Sequence, residues 1–172
     1  MIRSIRIDDN LLHGAVAFSW VLNLKLHLII VADDQAASDP FTKMALGLSK
    51  PNGIALEILP LKDAIKVIQQ HISSNLNVMV IVNSCVNALI LKQAIPSIDT
   101  LNIGLLRATT LTRLKLKEMD LDEENYQACL DLDQMNVAID YRLHYQDDPI
   151  QINPLLHQLK SDQAKKIKIP FW

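Results

Sequence analysis

The chain has 172 residues, 49% of them apolar and 21% charged, and carries a formal charge of −2 at neutral pH. That length fits one domain able to bury roughly 70% of its unfolded surface, and the composition argues against a disordered chain. The slight acidity and five scattered histidines speak against nucleic-acid binding, and the longest apolar runs, such as Val78–Val82, are strand length and far short of a membrane span.

The first apolar run, Ile2–Ile7, reads as a buried strand, and Gly14–Asn23 as an apolar helix containing Trp20. Asp8, Asp9 and His13 interrupt any leader-like apolar core, so a cytosolic chain is expected. His27–Val31 is a second strand. Ser38-Asp39-Pro40 opens a helix over Asp39–Leu48, with an N-cap and a proline in the first turn. Lys50-Pro51-Asn52-Gly53 stops it, and Ala55–Leu59 is a third strand. Lys62–His71 has helical apolar spacing, Val78–Val82 is a fourth strand, and Ser84–Ile95 is a helix stopped by Pro96. Thr100–Ile103 is a short fifth strand. Strand–helix alternation with Ile- and Val-rich strands predicts an α/β single domain over 1–172: a mostly parallel Rossmann-like sheet with helices on both faces.

The last third is less regular. Leu114–Met119 reads as a strand, Asp122–Met135 as a helix capped by Asp120 or Asp122, Val137–Arg142 as an alternating strand, and Asn153–Gln163 as a final helix. Lys165–Trp172 is a basic, aromatic tail. Cys85 and Cys129 have no C-x-x-C context and are expected to be free thiols in a reducing compartment. No metal-ligand spacing occurs, no G-x-G-x-x-G or P-loop appears, and four glycines leave little room for one, which disfavours a nucleotide-binding domain.

Chemistry concentrates in Arg6–Trp20, RIDDNLLHGAVAFSW. In an open parallel sheet, ligands bind beyond the carboxyl ends of the strands. His13 follows the first strand and stands at or before the first turn of the next helix, whose free N–H groups favour an anion. Gly14 beside it permits close backbone approach or an unusual dihedral. With no second ligand at metal spacing and no Ser or Cys nearby to activate, an imidazole that accepts a phosphoryl group fits best, alongside the plainer role of a packing or capping histidine. Asp8 either orients His13 or pairs with Arg6, which shares its strand face.

Arg6-Ile7-Asp8-x-x-Leu11-x-His13-Gly14-x-Val16 resembles the signature of the IIB component of the mannose/fructose/sorbose-type sugar phosphotransferase system. Val31-Ala32-Asp33-Asp34, Lys43-Met44-Ala45-Leu46, Pro51-x-Gly53 and Leu101-Asn102-Ile103-Gly104 match further family segments in order. The resemblance implies that His13 accepts phosphate from a IIA domain and passes it to a sugar held by membrane IIC and IID subunits. It implies a cytoplasmic protein, peripherally associated with those subunits and in some members a homodimer, needing neither metal nor nucleotide cofactor. The pocket expected around His13 comprises Asp8, Asn10, Gly14, Asn102, Gly104 and Arg107, with Asn83 and Ser84, which follow the fourth strand, either donating to a phosphate or capping the next helix. Two positions depart from the family: Asn10 stands where an arginine is usual, and Ala15 where a glutamine is. Arginine forks onto a phosphoryl group and asparagine does not. Arg107 replaces it if the fifth loop folds over His13; the Asn10 and Ala15 departures also leave open a degenerate homologue that binds the same partners and regulates with weak or no transfer.

Overall fold

A computed structural model describes the backbone of residues 1–167. Seven strands form one sheet in the order β3-β2-β4-β1-β5-β8-β9. They are β1 (Ile2–Ile7), β2 (Leu28–Ala32), β3 (Ala55–Leu59), β4 (Val78–Val82), β5 (Thr100–Ile103), β8 (Ala138–Tyr141) and β9 (Ile150–Gln151). All pairings are parallel except β8 with β9. The two remaining strands, β6 (Thr112–Leu116) and β7 (Met119–Asp122), form a separate antiparallel hairpin.

Strand alternation splits the core. Ile5, Ile7, Ile30, Val78, Val80 and Val82 face α4 (Leu61–His71), α5 (Cys85–Ala94), α6 (Glu123–Gln134) and α7 (Asn153–Ile167). Ile29, Val31, Met79 and Ile81 face the other way, against a π-helical turn (Val16–Trp20), α1 (Val21–Asn23), α2 (Asp34–Ser38) and α3 (Pro40–Ser49). Burial on both faces explains the unbroken apolar strands β2 and β4. Side-chain caps set the helix starts: Asp33 for α2, Asp39 for α3, Ser84 for α5 and Asp122 for α6. Asp34 also accepts from Leu61 N at 2.8 Å, so it serves the start of α4 and not an open cleft.

The expected α/β architecture and the order of its first five strands agree with the structure. Leu114–Met119 is corrected: the segment turns at Lys117, where φ is +52°, and becomes the β6–β7 hairpin. The helix expected over Asn153–Gln163 runs on to Ile167, and the remainder of the Lys165–Trp172 tail lies outside the described residues.

Candidate functional site

The site forms where β1 and β5 end side by side. After β1 the chain crosses to β2 on one side, and β5 enters from the other, so the two carboxyl ends part into a crevice. Leu11 N donates to Asp8 O at 3.0 Å, closing a turn, and Leu11 sits at φ +55°. A leucine in the left-handed region costs about 1–2 kcal/mol. The turn buries Leu11 and Leu12 in the core and leaves His13 on the rim, 23% exposed. His13 O accepts from Ala17 N at 2.9 Å, so His13 stands at the mouth of the following helix.

Asp8 holds this histidine. Its Oδ2 lies 2.9 Å from His13 Nε2 and accepts from Arg6 Nε at 3.0 Å and from Leu105 N at 3.3 Å. Its Oδ1 accepts from Asn10 N at 3.1 Å. A carboxylate only accepts, so Nε2 carries the proton towards Asp8 and the Nδ1 lone pair is left for chemistry.

Arg6 anchors Asp8 from below. It is fully buried, pairs with Asp8 at 2.9 Å, and donates to Asn102 Oδ1 at 2.5 Å, Arg142 O at 3.0 Å and Leu143 O at 3.2 Å. Its guanidinium lies 5.0 Å from the Trp20 ring, whose Nε1 donates to the same Leu143 O at 3.0 Å. Burial pulls the Arg6 pKa down and Asp8 pushes it back, leaving it below the ordinary arginine value. Such a buried ion pair is tolerable only because the donors are spoken for.

Gly104 completes the floor. Its N donates to Ile7 O at 2.8 Å, and a Cβ built there would overlap the Arg6 guanidinium and stand 2.6 Å from Asp8 Oδ2. The loop it opens lies against the His13 loop: Asp9 N donates to Leu105 O at 2.9 Å, and Arg107 reaches Asp9 through N (2.8 Å), Nε (2.9 Å) and Nη2 (3.2 Å). Arg107 Nη2 also donates to Asn10 Oδ1 at 3.1 Å. The hydrogen bonds to Asp9 raise the Arg107 pKa. The β6–β7 hairpin braces this loop, with Leu106 N donating to Glu118 O and accepting at its own O from Asp120 N.

Thus Asp8 contacts His13, Gly104 lies against Asp8 and Arg6, and Arg107 reaches Asp9 and Asn10. Asn102 sits one layer beneath, as a support for Arg6. Asn83 and Ser84 share the sheet edge but are corrected as phosphate ligands: Ser84 Oγ accepts from Asn87 N at 3.2 Å and Asn83 Oδ1 from Asn87 Nδ2 at 2.8 Å, so both serve the start of α5. Gly14 does not adopt an unusual dihedral: its φ is not in the left-handed region, and a Cβ there would meet only the Phe18 ring at 3.8 Å. Asp9 and Leu11 were not singled out from the sequence. Asp9 gave no signal beyond a second aspartate, whereas Leu11 and Leu12, apolar in an otherwise polar turn, hinted at the inward bend. Among the described residues, no cluster of three or more His, Cys, Asp or Glu side chains is placed to hold a metal, and no helix is long and apolar enough to cross a membrane.

This is a doubly wound α/β domain with a carboxylate-held histidine at the strand-order switch. A family model described as PTS system sorbose subfamily IIB component matches residues 2–167, and the chain belongs to that family. It is 37% identical over 104 residues to a probable phosphotransferase enzyme IIB component of Streptococcus pyogenes serotype M6, covering 60% of this chain and 64% of that relative. It is 26% identical over 147 residues to the sorbose-specific EIIB component of Klebsiella pneumoniae, covering 86% and 90%. The match to the mannose-specific EIIAB component of Escherichia coli K12, 23% identical, takes in 90% of this chain but only about half, 48%, of that protein. The crystal structure of the IIBSor domain of the Klebsiella pneumoniae sorbose permease superposes with TM-score 0.83 at 25% identity, over 92% of this chain and 97% of that one.

Proposed function

We propose that this chain is a phosphoryl carrier: His13 accepts phosphate from a IIA domain and hands it to a sugar bound by membrane IIC and IID subunits. The observation that supports it most directly is the 2.9 Å contact between Asp8 Oδ2 and His13 Nε2, which leaves Nδ1 as the nucleophile. In the first step the Nδ1 lone pair attacks phosphorus, the bond to the donor's nitrogen breaks, and the donor imidazole keeps that electron pair. The positive charge the His13 ring acquires faces Asp8, as in other carboxylate-oriented histidines. In the second step a sugar hydroxyl oxygen attacks, the P–Nδ1 bond breaks, its electrons return to the ring, and the hydroxyl proton leaves to water. Phosphoryl transfer asks for positioning and charge stabilisation more than for covalent groups. Backbone N–H groups at the helix start after His13, Asn10 and the exposed Arg107 supply that stabilisation.

The role of Arg107 is supported by its hydrogen bond to Asn10, the residue that stands where an arginine is usual. In this reading the protein works in the cytoplasm, docking on the membrane subunits. The test is incubation with phosphoenolpyruvate, the general phosphotransferase proteins and a matching IIA domain, then mass spectrometry under alkaline conditions. Phosphate on His13, absent from His13→Ala, is expected. An unmodified wild type beside a phosphorylated Asn10→Arg variant would instead identify a binding protein that has lost transfer.

A further inference from the structure

Three strands of the sheet are apolar on one face only. Ile5 and Ile7 of β1, Leu101 and Ile103 of β5, and Ile139 and Tyr141 of β8 enter the core shared with α4, α5, α6 and α7. Alternation turns the residues between them to the opposite face. Those residues are polar: Ser4, Arg6, Thr100, Asn102 and Asp140. The pairing register sets Arg6, Asn102 and Asp140 side by side in one row. Among the described residues, the apolar cluster on that face draws on β2 and β4 and takes nothing from β1, β5 or β8. The helices therefore leave the polar half of this face open.

That half is not flat. A hollow of about 370 Å3 lies over it, with Ser4, Thr100 and Asn102 in its floor and Trp20, Leu24 and Tyr145 in its wall. The Trp20 and Tyr145 rings meet edge to face at 5.4 Å and stiffen that wall. The volume lies in the range of small-ligand pockets, about 300–1,000 Å3. Neither Asp8, His13 nor Arg107 lines it, so it is separate from the site already described.

Its charges do not balance. Arg3, Arg142 and Asp140 all face it. Asp140 accepts from Arg142 Nε at 2.7 Å, which answers the carboxylate. Arg142 Nη1 has a stretched contact of 3.5 Å to Tyr145 O, and among the described residues its Nη2 has no acceptor. Arg3 is exposed, and among the described residues its one hydrogen bond goes to the Met1 sulfur at 3.5 Å. The Asn102 amide N–H groups reach Asp140 only at 3.4 and 3.5 Å. The hollow thus offers two guanidinium groups with open donors, a carboxylate already paired, two hydroxyls and a loosely held amide. Guanidinium donors match a phosphoryl group. Hydroxyls and an amide, each able to donate and accept, match the hydroxyl groups of a polyol.

We propose that this hollow binds a sugar phosphate, with the phosphoryl group on Arg3 and Arg142 and the sugar hydroxyls on Ser4, Thr100 and Asn102. The choice of ligand rests on the carrier reading above, since a sugar phosphate is what that relay releases. Inorganic phosphate would engage the guanidinium groups and leave the rest of the hollow to water. A free sugar would leave both guanidinium groups unanswered. Arg142 also joins the hollow to the phosphorylation site. Its backbone O accepts from Arg6 at 3.0 Å, and its guanidinium, like that of Arg6, lies 5.0 Å from the Trp20 ring. A bound sugar phosphate therefore sits back to back with the Arg6–Asp8–His13 relay of contacts.

The test is calorimetric titration of the full chain with glucose, mannose and fructose 6-phosphates, beside the free sugars and inorganic phosphate. At least one sugar phosphate is expected to bind at one site with Kd below about 1 mM. It should bind at least about tenfold more tightly than inorganic phosphate or its own free sugar, because each fills only part of the donor set. Arg3→Gln and Arg142→Gln should each weaken binding roughly ten- to a hundred-fold, the worth of hydrogen bonds to a charged group. Lys66→Gln removes an exposed charge from α4, on the other side of the sheet, and should leave Kd within about twofold. A thermal melt checks the fold of Arg142→Gln, and the exposed Arg3 gives a second variant that does not depend on it. The proposal is overturned if none of the three sugar phosphates binds, if inorganic phosphate binds as tightly, or if binding survives both arginine variants. Binding lost in Arg107→Ala and kept in Arg142→Gln would place the ligand beside His13 and overturn it as well. The titration uses unphosphorylated protein, so failure of the carrier reading would show in the phosphorylation experiment above and leave this measurement unaffected.

Discussion

Gly104 and Arg6, distant in sequence, are in contact so close that no side chain fits between them: a Cβ on Gly104 would occupy the space of the Arg6 guanidinium. Arg6 cannot retreat, because Asp8, Asn102, Arg142 and Leu143 hold it from the other sides. Gly104→Ala therefore has to distort the ion pair under His13. Overpacking of this kind costs about 1–3 kcal/mol. For a chain of this length that lowers Tm by roughly 2–4 °C per kcal/mol. A melt within about 1 °C of wild type contradicts the packing described.

Asp8→Asn tests the orientation of the histidine. The amide can offer either an oxygen or an NH2 to Nε2, so the imidazole no longer holds one tautomer, and Arg6 loses its buried partner. Removing one member of a buried pair costs about 3–5 kcal/mol. Nitrogen NMR of the His13 ring is expected to change from a single Nε2–H form to a mixture. His13 phosphorylation is expected to slow by about 100-fold or more, as when a triad carboxylate is made an amide. An unchanged ring spectrum would falsify the role given to Asp8.

Arg107→Ala separates catalysis from stability. The pair with Asp9 is largely solvated on the arginine side, 68% exposed, so the loss of stability should stay below about 1 kcal/mol. His13 phosphorylation should slow roughly ten- to a hundred-fold, the worth of one or two hydrogen bonds to a charged group. Asn10→Arg added to Arg107→Ala should recover most of that rate, since it supplies a guanidinium from the family's usual position. Full activity of the single variant, or no recovery in the double, removes Arg107 from the site.

Asp122 gives an acid-side prediction. Burial raises its pKa, but hydrogen bonds from Asn125 and Thr109 outweigh this, and the net value lies below the ordinary aspartate range. A carboxyl depressed on folding stabilises fully above its unfolded pKa of about 3.9 and loses that contribution as pH falls through its folded value. Wild type should therefore exceed Asp122→Asn in denaturant melts at neutral pH, with the gap closing below about pH 4. A gap independent of pH would show that Asp122 acts only by shape.

Much of this arrangement could be read from the chain. Buried strands announce themselves by unbroken Ile and Val, Asp39 caps its helix as its residue type suggests, and Asp122, of the two candidates Asp120 and Asp122, and Ser84 are also caps. His13 was placed by the strand before it and the helix after it. The hairpin was not foreseen, because its reversal depends on Lys117 entering the left-handed region, which no glycine advertises; the one signal was Lys117-Glu118, where the alternation of Leu114 and Leu116 shifts phase to Met119 and Leu121. Nor did position in the chain reveal that Arg6 joins β1 to β5 and the segment after β8. Those contacts come from long-range pairing, and a sequence read locally assigns Arg6 to its nearest carboxylate.

The central place of β1 also orders events during synthesis. Of the sheet's strands β1 leaves the ribosome before the others, yet its neighbours end at Val82 and Ile103. Until both have emerged, Arg6 has no Asn102 to hold it and Asp8 has no Leu105 N–H to accept from. Long-range parallel pairing is slow to form, since loop closure precedes any reward. The histidine, which precedes most of the domain in chain order, thus acquires its geometry only when β4 and the loop after β5 have joined β1.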